Sequence, residues 1–331
     1  MPAHPGPRAA SATLLRAAAL VAALGAIAPA PSHAQDGAGS TGATVLQLPA
    51  GSRAAALAGA YAAVAGDADV LFYNPAGAAG VGAAASLAYE RRVVDIVFGS
   101  AAGALGIGPV VLGLAVTYLD AGEVEVIEPD PDYGGQRGRE TGETVGASES
   151  AARLAVAVPL GGVRLGAALG VVTSNLAGLT RSAPFVDLGA QFEVYGATVG
   201  AALRNLGGAL SGDDAVDAPL PSEARLGVRF ERARATGLGF TVGADLASDL
   251  RAGTTWLAGG VEAGLLPGVD RHYGAVARLS LDSRDRDDAL RTLRLGAGIT
   301  LDRLGFDYTY QEFEHFGGIH RIGIRWSRPP R

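Results

Sequence analysis

The chain has 331 residues, a formal net charge of −6, 49 glycines and no cysteine. The acidity argues against nucleic acid as a partner, because phosphate backbones are bound by basic surfaces. The absence of cysteine excludes disulfides and argues against a structural zinc site.

The first 34 residues have the three parts of a secretory signal. Arg8 and Arg16 provide a basic start, and Ala17–Ala28 is an apolar core too short to span a bilayer. A Ser-His-Ala cleavage site ends at Ala34, so we expect the signal peptide to be residues 1–34. Export through the inner membrane is the expectation that follows; location in a Gram-negative outer membrane is expected only together with the strand pattern described below.

The next stretch, residues 35–51, is rich in Gly, Ser and Thr and is predicted to be flexible. Residues 52–82 are predicted to be a plug made of a helix and a tight turn. Alanine-rich Arg53–Ala65 favours helix, and Ser52 is a good N-cap. The apolar stripe of this helix would be Leu57, Tyr61 and Val64. The turn region that follows contains Asp69, Asn74, Pro75 and Gly77.

Residues 83–331 alternate between apolar and polar with period two, as in β-strands with two different faces. About fourteen such runs occur, and many have the ten-residue length that a tilted strand needs to cross a bilayer. We therefore predict an all-β fold, a transmembrane antiparallel β-barrel of about fourteen strands with a short N-terminal helical plug. The runs lie near 83–90, 93–101, 109–119, 150–160, 163–175, 184–195, 197–206, 222–232, 236–247, 254–265, 271–281, 292–301, 304–312 and 319–327.

Charged residues recur on the non-apolar face of these runs. A soluble sandwich would have to bury them, whereas a membrane barrel turns that face to a polar lumen. These residues either attract anions or pair with one another to fill the lumen. The residues predicted to face the lumen include Arg204, Arg225, Arg229, Glu262, Arg294, Arg321 and Arg325.

The links between runs alternate between long and short, as expected when the two ends of a barrel face different compartments. Gly162 and Gly196 lie in minimal links and are predicted to be periplasmic, whereas Gly135 and Asp214 lie in long links and are predicted to be external. A barrel of this width would leak if it were empty, so the plug is expected to close the periplasmic mouth.

No group of residues suits catalysis. The mature chain contains the histidines His272, His315 and His320. None of them lies in a nucleophile elbow or in a spacing that suits metal ligands. We therefore predict a protein that is not an enzyme and has no cofactor and no metal.

The stretch AALAGAYAAVAGDADVLFYNPAG, residues 55–77, resembles the N-terminal signature of the PorV/PorQ family, which is related to the FadL-type barrels. Later segments resemble the family in the same order, although Ala78-Ala79 replaces its usual bulkier residue after NPAG. These segments are Leu203–Gly207, Leu220–Ser222, Arg225–Gly227, Gly243–Leu246, Gly260–Glu262, Phe306–Tyr310 and His320–Gly323.

The resemblance implies an outer-membrane barrel that binds or shuttles exported proteins, as in type IX secretion. The alternative that it implies is a FadL-like channel for long-chain fatty acids or other hydrophobic small molecules. The partners expected are outer-membrane lipid, exported proteins or secretion components, and hydrophobic small molecules, but no nucleic acid.

Overall fold

The computed structural model describes residues 41–92, 96–134, 136–212, 217–233, 237–266, 272–284, 293–313 and 317–328. Within these ranges, fourteen antiparallel strands close into one barrel, so the predicted fold is confirmed. Each strand pairs with its neighbours in the chain, and the first pairs with the last. The strands are β1 Ala83–Arg91, β2 Val97–Ile107, β3 Val110–Pro129, β4 Gly138–Leu160, β5 Val163–Leu176, β6 Leu179–Val194, β7 Ala197–Gly207, β8 Glu223–Ala233, β9 Leu238–Asp249, β10 Thr255–Leu265, β11 Tyr273–Asp282, β12 Leu293–Leu301, β13 Leu304–Phe313 and β14 Gly317–Arg328.

The outside of the barrel is a belt of exposed aliphatic side chains. Leu87, Leu154 and Leu169 are 58%, 67% and 69% exposed. Exposure of such apolar surface is unfavourable in water but not in lipid. Because successive strand residues point to opposite faces, the same strands turn their other residues into the lumen. Among the described residues, no helix has the length and apolar character needed to cross a membrane.

The two ends of the barrel differ. We call the end at which β1 begins and β14 ends the near end, and the opposite end the far end. Gly162 and Gly196 lie in two-residue turns at the near end. At the far end, the predicted long loop at 120–149 is instead a continuation of β3 and β4, joined by the turn Pro131–Tyr133. Here Val124 and Val126, which favour strand, alternate with Glu123 and Glu125 and extend β3 beyond residue 119.

Residues 41–82, which we call the lumen segment, pass through the inside of the barrel. At the far end, the Gly42 N–H donates to the Pro219 carbonyl in the β7–β8 link at 2.9 Å. At the near end, the segment joins β1. The segment thus fills the length of the lumen and not only its mouth. Residues 44–46, predicted to be flexible, form a 3-10 turn in which Val45 and Leu46 are buried. Residues 1–40, including the predicted signal peptide, lie outside the described residues.

The predicted helix at Arg53–Ala65 is wrong in extent, because only α1, Ser52–Ala56, is helical. Ala58 and Gly59 have φ values of 55° and 73° and turn the chain out of the helix. Beyond Gly59, the backbone N–H groups of Tyr61 and Ala62 donate to the Asp245 carboxylate of the barrel wall instead of to helical carbonyls. Ser52 is also not the cap; its hydroxyl lies 3.2 Å from the Thr309 hydroxyl of β13.

Candidate functional site

The lumen wall has two sectors of different chemistry. The apolar sector, on β2–β6, presents mainly small and aliphatic side chains to the inside. Its Arg153 and Asp187 neutralise one another at 3.0 Å. The buried apolar residues of this sector are Phe98, Ala102, Ala104, Val111, Ala115, Leu119, Ala151, Ala155, Ala157, Ala168, Val172, Ala183 and Phe185.

The charged sector is formed by β7–β14 together with Glu90 of β1. All seven lumen-facing candidates from the sequence lie on this inner face, and each contacts a carboxylate or, for Glu262, two arginines. Buried ions need such partners, because the desolvation of an isolated charge is costly. The pairs include Arg204–Glu223 at 3.0 Å, Arg225–Asp245 at 3.6 Å, Arg229–Glu231 at 2.6 Å, Arg278–Glu262 at 2.5 Å, Arg294–Asp282 at 2.7 Å, Arg321–Glu90 and Arg325–Asp307.

Arg53 of α1 links the lumen segment to the charged sector. Its guanidinium donates to Glu262 and, at 3.0 Å, to Asp67, whose carboxylate also accepts the Tyr61 hydroxyl at 2.8 Å. The Asp245 carboxylate of β9 accepts the Tyr61 and Ala62 N–H groups, both at 2.9 Å. The sequence interpretation missed Arg53, although it is the single arginine between residues 17 and 90.

The Asn74–Gly77 turn is seated on the wall near the near end. The Asn74 side chain accepts the Ala76 N–H at 3.1 Å, as predicted for a local turn. It also donates to the Ala62 carbonyl at 2.6 Å and to two wall carbonyls at 3.3 Å. Pro75 begins the 3-10 turn Pro75–Ala78. The wall can approach the lumen segment this closely only because it has glycine at the contact points. A Cβ on Gly166 would lie 2.3 Å from Ala76 N, and a Cβ on Gly189 would lie 1.9 Å from Asn74 Oδ1. A Cβ on Gly200 would lie 2.0 Å from the Ala62 carbonyl oxygen.

The three residues predicted to form an apolar helix stripe, Leu57, Tyr61 and Val64, are all buried, but they do not lie together on one face. Leu57 faces Gly260 in the charged sector, whereas the Tyr61 ring packs on Tyr73 with centroids 5.2 Å apart. The carbonyl of Val64 accepts the Gln191 amide at 2.8 Å. The apolar sector is covered by another element, the 3-10 turn Asp69–Phe72, whose last three side chains are at most 2% exposed.

Asp69 is the least satisfied charged group of the lumen segment. It is 1% exposed, and neither carboxylate oxygen has a hydrogen-bond partner among the described residues. Burial, together with the nearby Asp67 carboxylate, raises the pKa of Asp69 to about 7. The Ser86 hydroxyl and the Arg325 guanidinium offset only part of this shift.

The histidines do not form a site within the described residues. His272 pairs with Asp302 at 2.8 Å in an exposed near-end position, and His320 contacts the Tyr308 hydroxyl on the outer face. His315 lies outside the described residues. No group of three or more His, Asp or Glu suited to a metal occurs in the described part of the chain.

No family model and no curated protein matches the chain, so its resemblance to PorV/PorQ stays a prediction. Solved structures do match. The Ralstonia pickettii toluene transporter TbuX is 13% identical, with a TM-score of 0.56 over 87% of this chain and 100% of that one. The Pseudomonas putida toluene transporter TodX is 10% identical, with a TM-score of 0.57 over 84% and 97%. The CymD monoaromatic hydrocarbon channel is 11% identical, with a TM-score of 0.55 over 85% and 98%.

At such identities the likeness concerns the fold. The chain therefore shares with these transport proteins a closed antiparallel β-barrel over more than four fifths of its length.

Proposed function

We propose that the protein is a non-enzymatic outer-membrane channel for the uptake of hydrophobic small molecules, closed by its lumen segment. The observation that carries this proposal is the apolar sector. It extends along β2 from Phe98 to Ala104, a rise of about 20 Å at ~3.3 Å per residue. A wall of this kind offers a hydrophobic molecule a continuous surface beside a lumen that is otherwise charged.

The lumen segment covers this surface with apolar side chains that a ligand can replace. Leu71 lies against Gly113 of β3 and Phe72 beside Arg153 of β4, and both are buried, each burial contributing about 1.5–3 kcal/mol. A hydrophobic molecule of similar area would recover most of that free energy when it takes their place. The polar anchors of the segment lie on both sectors, for example Ser100 of β2 with the Gly51 N–H and Asp245 of β9 with the Tyr61 N–H, so we expect the segment to move as a unit when it uncovers this surface.

The fold of the toluene transporters supports uptake ahead of the secretion role that the PorV/PorQ resemblance implies. Nothing in the comparisons supports exported proteins or secretion components as partners. The type IX role is therefore the second candidate, which the experiment below also addresses.

A cysteine lock tests the proposal, because the chain has no native cysteine. The Ser52 and Thr309 hydroxyls lie 3.2 Å apart, on the lumen segment and on β13. In the double variant Ser52→Cys/Thr309→Cys, we expect a disulfide to stop uptake of radiolabelled toluene or a long-chain fatty acid by intact cells, and a reductant to restore it. The two single variants are the matched controls.

Uptake that continues with the cross-link verified would show that the lumen segment does not close the channel. No uptake by the unmodified protein, together with a stable complex with an exported protein, would favour the secretion role instead.

A further inference from the structure

A cavity of about 260 Å³ lies in the far half of the lumen, on the charged side. It could hold about nine water molecules at ~30 Å³ each. Its charged lining consists of four arginines and two carboxylates, and we call it the arginine vestibule. These residues are Glu90, Arg92, Asp282, Arg284, Arg294 and Arg321.

The six charged residues form two similar triads, each with one carboxylate between two arginines. Glu90 accepts from Arg92 Nη1 at 2.5 Å and from Arg321 Nε at 2.5 Å. On the other side of the cavity, Asp282 pairs with Arg294 and Arg284. Each triad keeps one positive charge in excess, so within the part of the chain that the structure describes, four arginines against two carboxylates give the lining a net charge of +2.

The second triad also contains an unused donor. Arg294 is 7% exposed; its Nη2 lies 2.7 Å from Asp282 and its Nε donates to Gln311 at 3.0 Å. Its Nη1 is buried and has no hydrogen-bond partner among the described residues. Arg284, on the same carboxylate, makes only a loose pair at 3.5 Å and is one-third exposed. A buried donor without a partner is costly, and an anionic oxygen in the cavity would remove that cost.

We propose that the arginine vestibule binds a doubly charged oxyanion of the phosphate type. A charge of −2 balances the lining, and guanidinium groups match the oxygens of phosphate with paired hydrogen bonds. A purely hydrophobic molecule would instead leave the Arg294 donor unsatisfied and two excess charges desolvated. The proposal is independent of the uptake function, because it rests on the charge of the vestibule and on the Arg294 Nη1 donor, not on the apolar sector, which the vestibule only borders at Phe98.

Calorimetric titration of the full chain in detergent with inorganic phosphate at about pH 8, where the anion is doubly charged, is the direct test. We expect wild-type binding that weakens with salt. Arg294→Gln should weaken it about tenfold or more, the effect of losing a charged hydrogen-bond donor. Arg303→Gln, in an exposed near-end turn, is the matched control and should bind phosphate like the wild type.

Asp282→Asn distinguishes a binding site from a structural disturbance. It raises the net charge of the lining to +3 and should tighten phosphate binding, whereas a damaged barrel would weaken it. Decanoate is titrated in parallel as a singly charged amphiphile. The proposal would be overturned if phosphate did not bind, or if Arg294→Gln and Arg303→Gln had equal effects. It would also be overturned if decanoate bound in a way that depends on Arg294 while phosphate did not bind.

Discussion

The Arg53 guanidinium of α1 and the Glu262 carboxylate of β10 form a two-point ion pair, with Nε to Oε2 at 3.2 Å and Nη2 to Oε1 at 2.9 Å. The two side chains are only 12% and 7% exposed. Because Arg53 also holds Asp67, one side chain ties the wall to two parts of the lumen segment. This pair therefore anchors the segment to the charged sector.

We expect Arg53→Gln to loosen the lumen segment and leave the wall intact. Loss of one partner from a buried ion pair costs about 3–5 kcal/mol where the remaining charge is uncompensated. Here Arg278 still pairs with Glu262, so the carboxylate left without an ion-pair partner among the described residues is that of Asp67. The measurement is the conductance of reconstituted planar bilayers, which should rise, with heat-modifiable gel migration to verify the folded barrel.

Arg139→Gln is the control for that substitution. Arg139 pairs with Glu128 at 3.7 Å, and both side chains are more than half exposed. Such a pair contributes little, so conductance should not change. An equal response of the two variants would contradict the anchoring role of Arg53.

The conductance should also rise with pH because of Asp69. Its folded-state pKa, raised to about 7 by burial and by Asp67, lies above the value of an unfolded carboxyl. Stability from the protonated form is fully present below about pH 4 and is lost as pH rises through 7. The lumen segment should therefore be held more tightly at pH 5 than at pH 8. The charged and titratable groups that face Asp69 are Tyr61, Asp67, Tyr73, Asp307 and Arg325, with the Ser86 hydroxyl beside them.

Asp69→Asn copies the protonated form and should give low conductance at both pH values. Asp67→Asn is the comparison, since it removes the neighbouring charge and leaves Asp69 titratable. A pH step that persists in Asp69→Asn would assign the effect to another of the facing groups.

Gly200→Ala should displace the lumen segment from the wall at Ala62, whose carbonyl also accepts the Asn74 side chain. The new Cβ would lie 2.0 Å from the Ala62 carbonyl oxygen, and backbone cannot yield as a side-chain tip can. Gly243→Ala, on the inner face of β9, meets no described atom closer than 3.6 Å and is the control. Single-channel recordings should show frequent openings for Gly200→Ala alone. Closed channels with Gly200→Ala would mean that the backbone at Ala62 accommodates the methyl group.

The sidedness of the barrel is a separate prediction. Gly162 lies in a near-end turn, whereas Gly135 belongs to the β3–β4 link and, like Asp214, lies outside the described residues. An impermeant maleimide on intact cells should label Gly135→Cys and should label Gly162→Cys only after the outer membrane is permeabilised. Gly196→Cys and Asp214→Cys repeat the comparison. Equal labelling of Gly135→Cys and Gly162→Cys on intact cells would reverse or abolish the assignment.

The wall was predictable because its signal is local. The runs at 163–175 and 197–206 differ from β5 and β7 by one residue at one end. This agreement is expected because the two-residue apolar period depends only on which side of each strand faces lipid. The inward direction of Arg225 or Arg321 follows from the same parity. The apolar sector was not predicted, because Glu149, Arg153, Arg164 and Asp187 occupy inner positions of β4–β6 and the same parity gave no sign that their neighbours form an apolar surface.

The lumen was less predictable because its contacts are long-range. Alanine-rich Arg53–Ala65 has high helix propensity, yet Asp245, 184 residues from Tyr61, bonds the backbone where the helix would continue. Ion-pair partners also depend on small residues between them. Arg278 of β11 reaches Asp307 of β13 across β12 because Gly298 leaves room, and a Cβ there would lie 2.9 Å from the guanidinium.

The lumen segment precedes β1, yet its seat includes the last two strands. Arg321 of β14 donates to the Pro49 and Gly51 carbonyls, and Thr309 of β13 donates to the Ser52 carbonyl at 2.8 Å. These contacts join residues that are 257 to 272 positions apart in the chain. During biogenesis, therefore, the segment is fully held only when β14 arrives to pair with β1. Closure of the barrel wall and fixation of the lumen segment therefore occur together, late in folding. A chain that ends before β14 would have an open barrel wall and an incompletely held lumen segment.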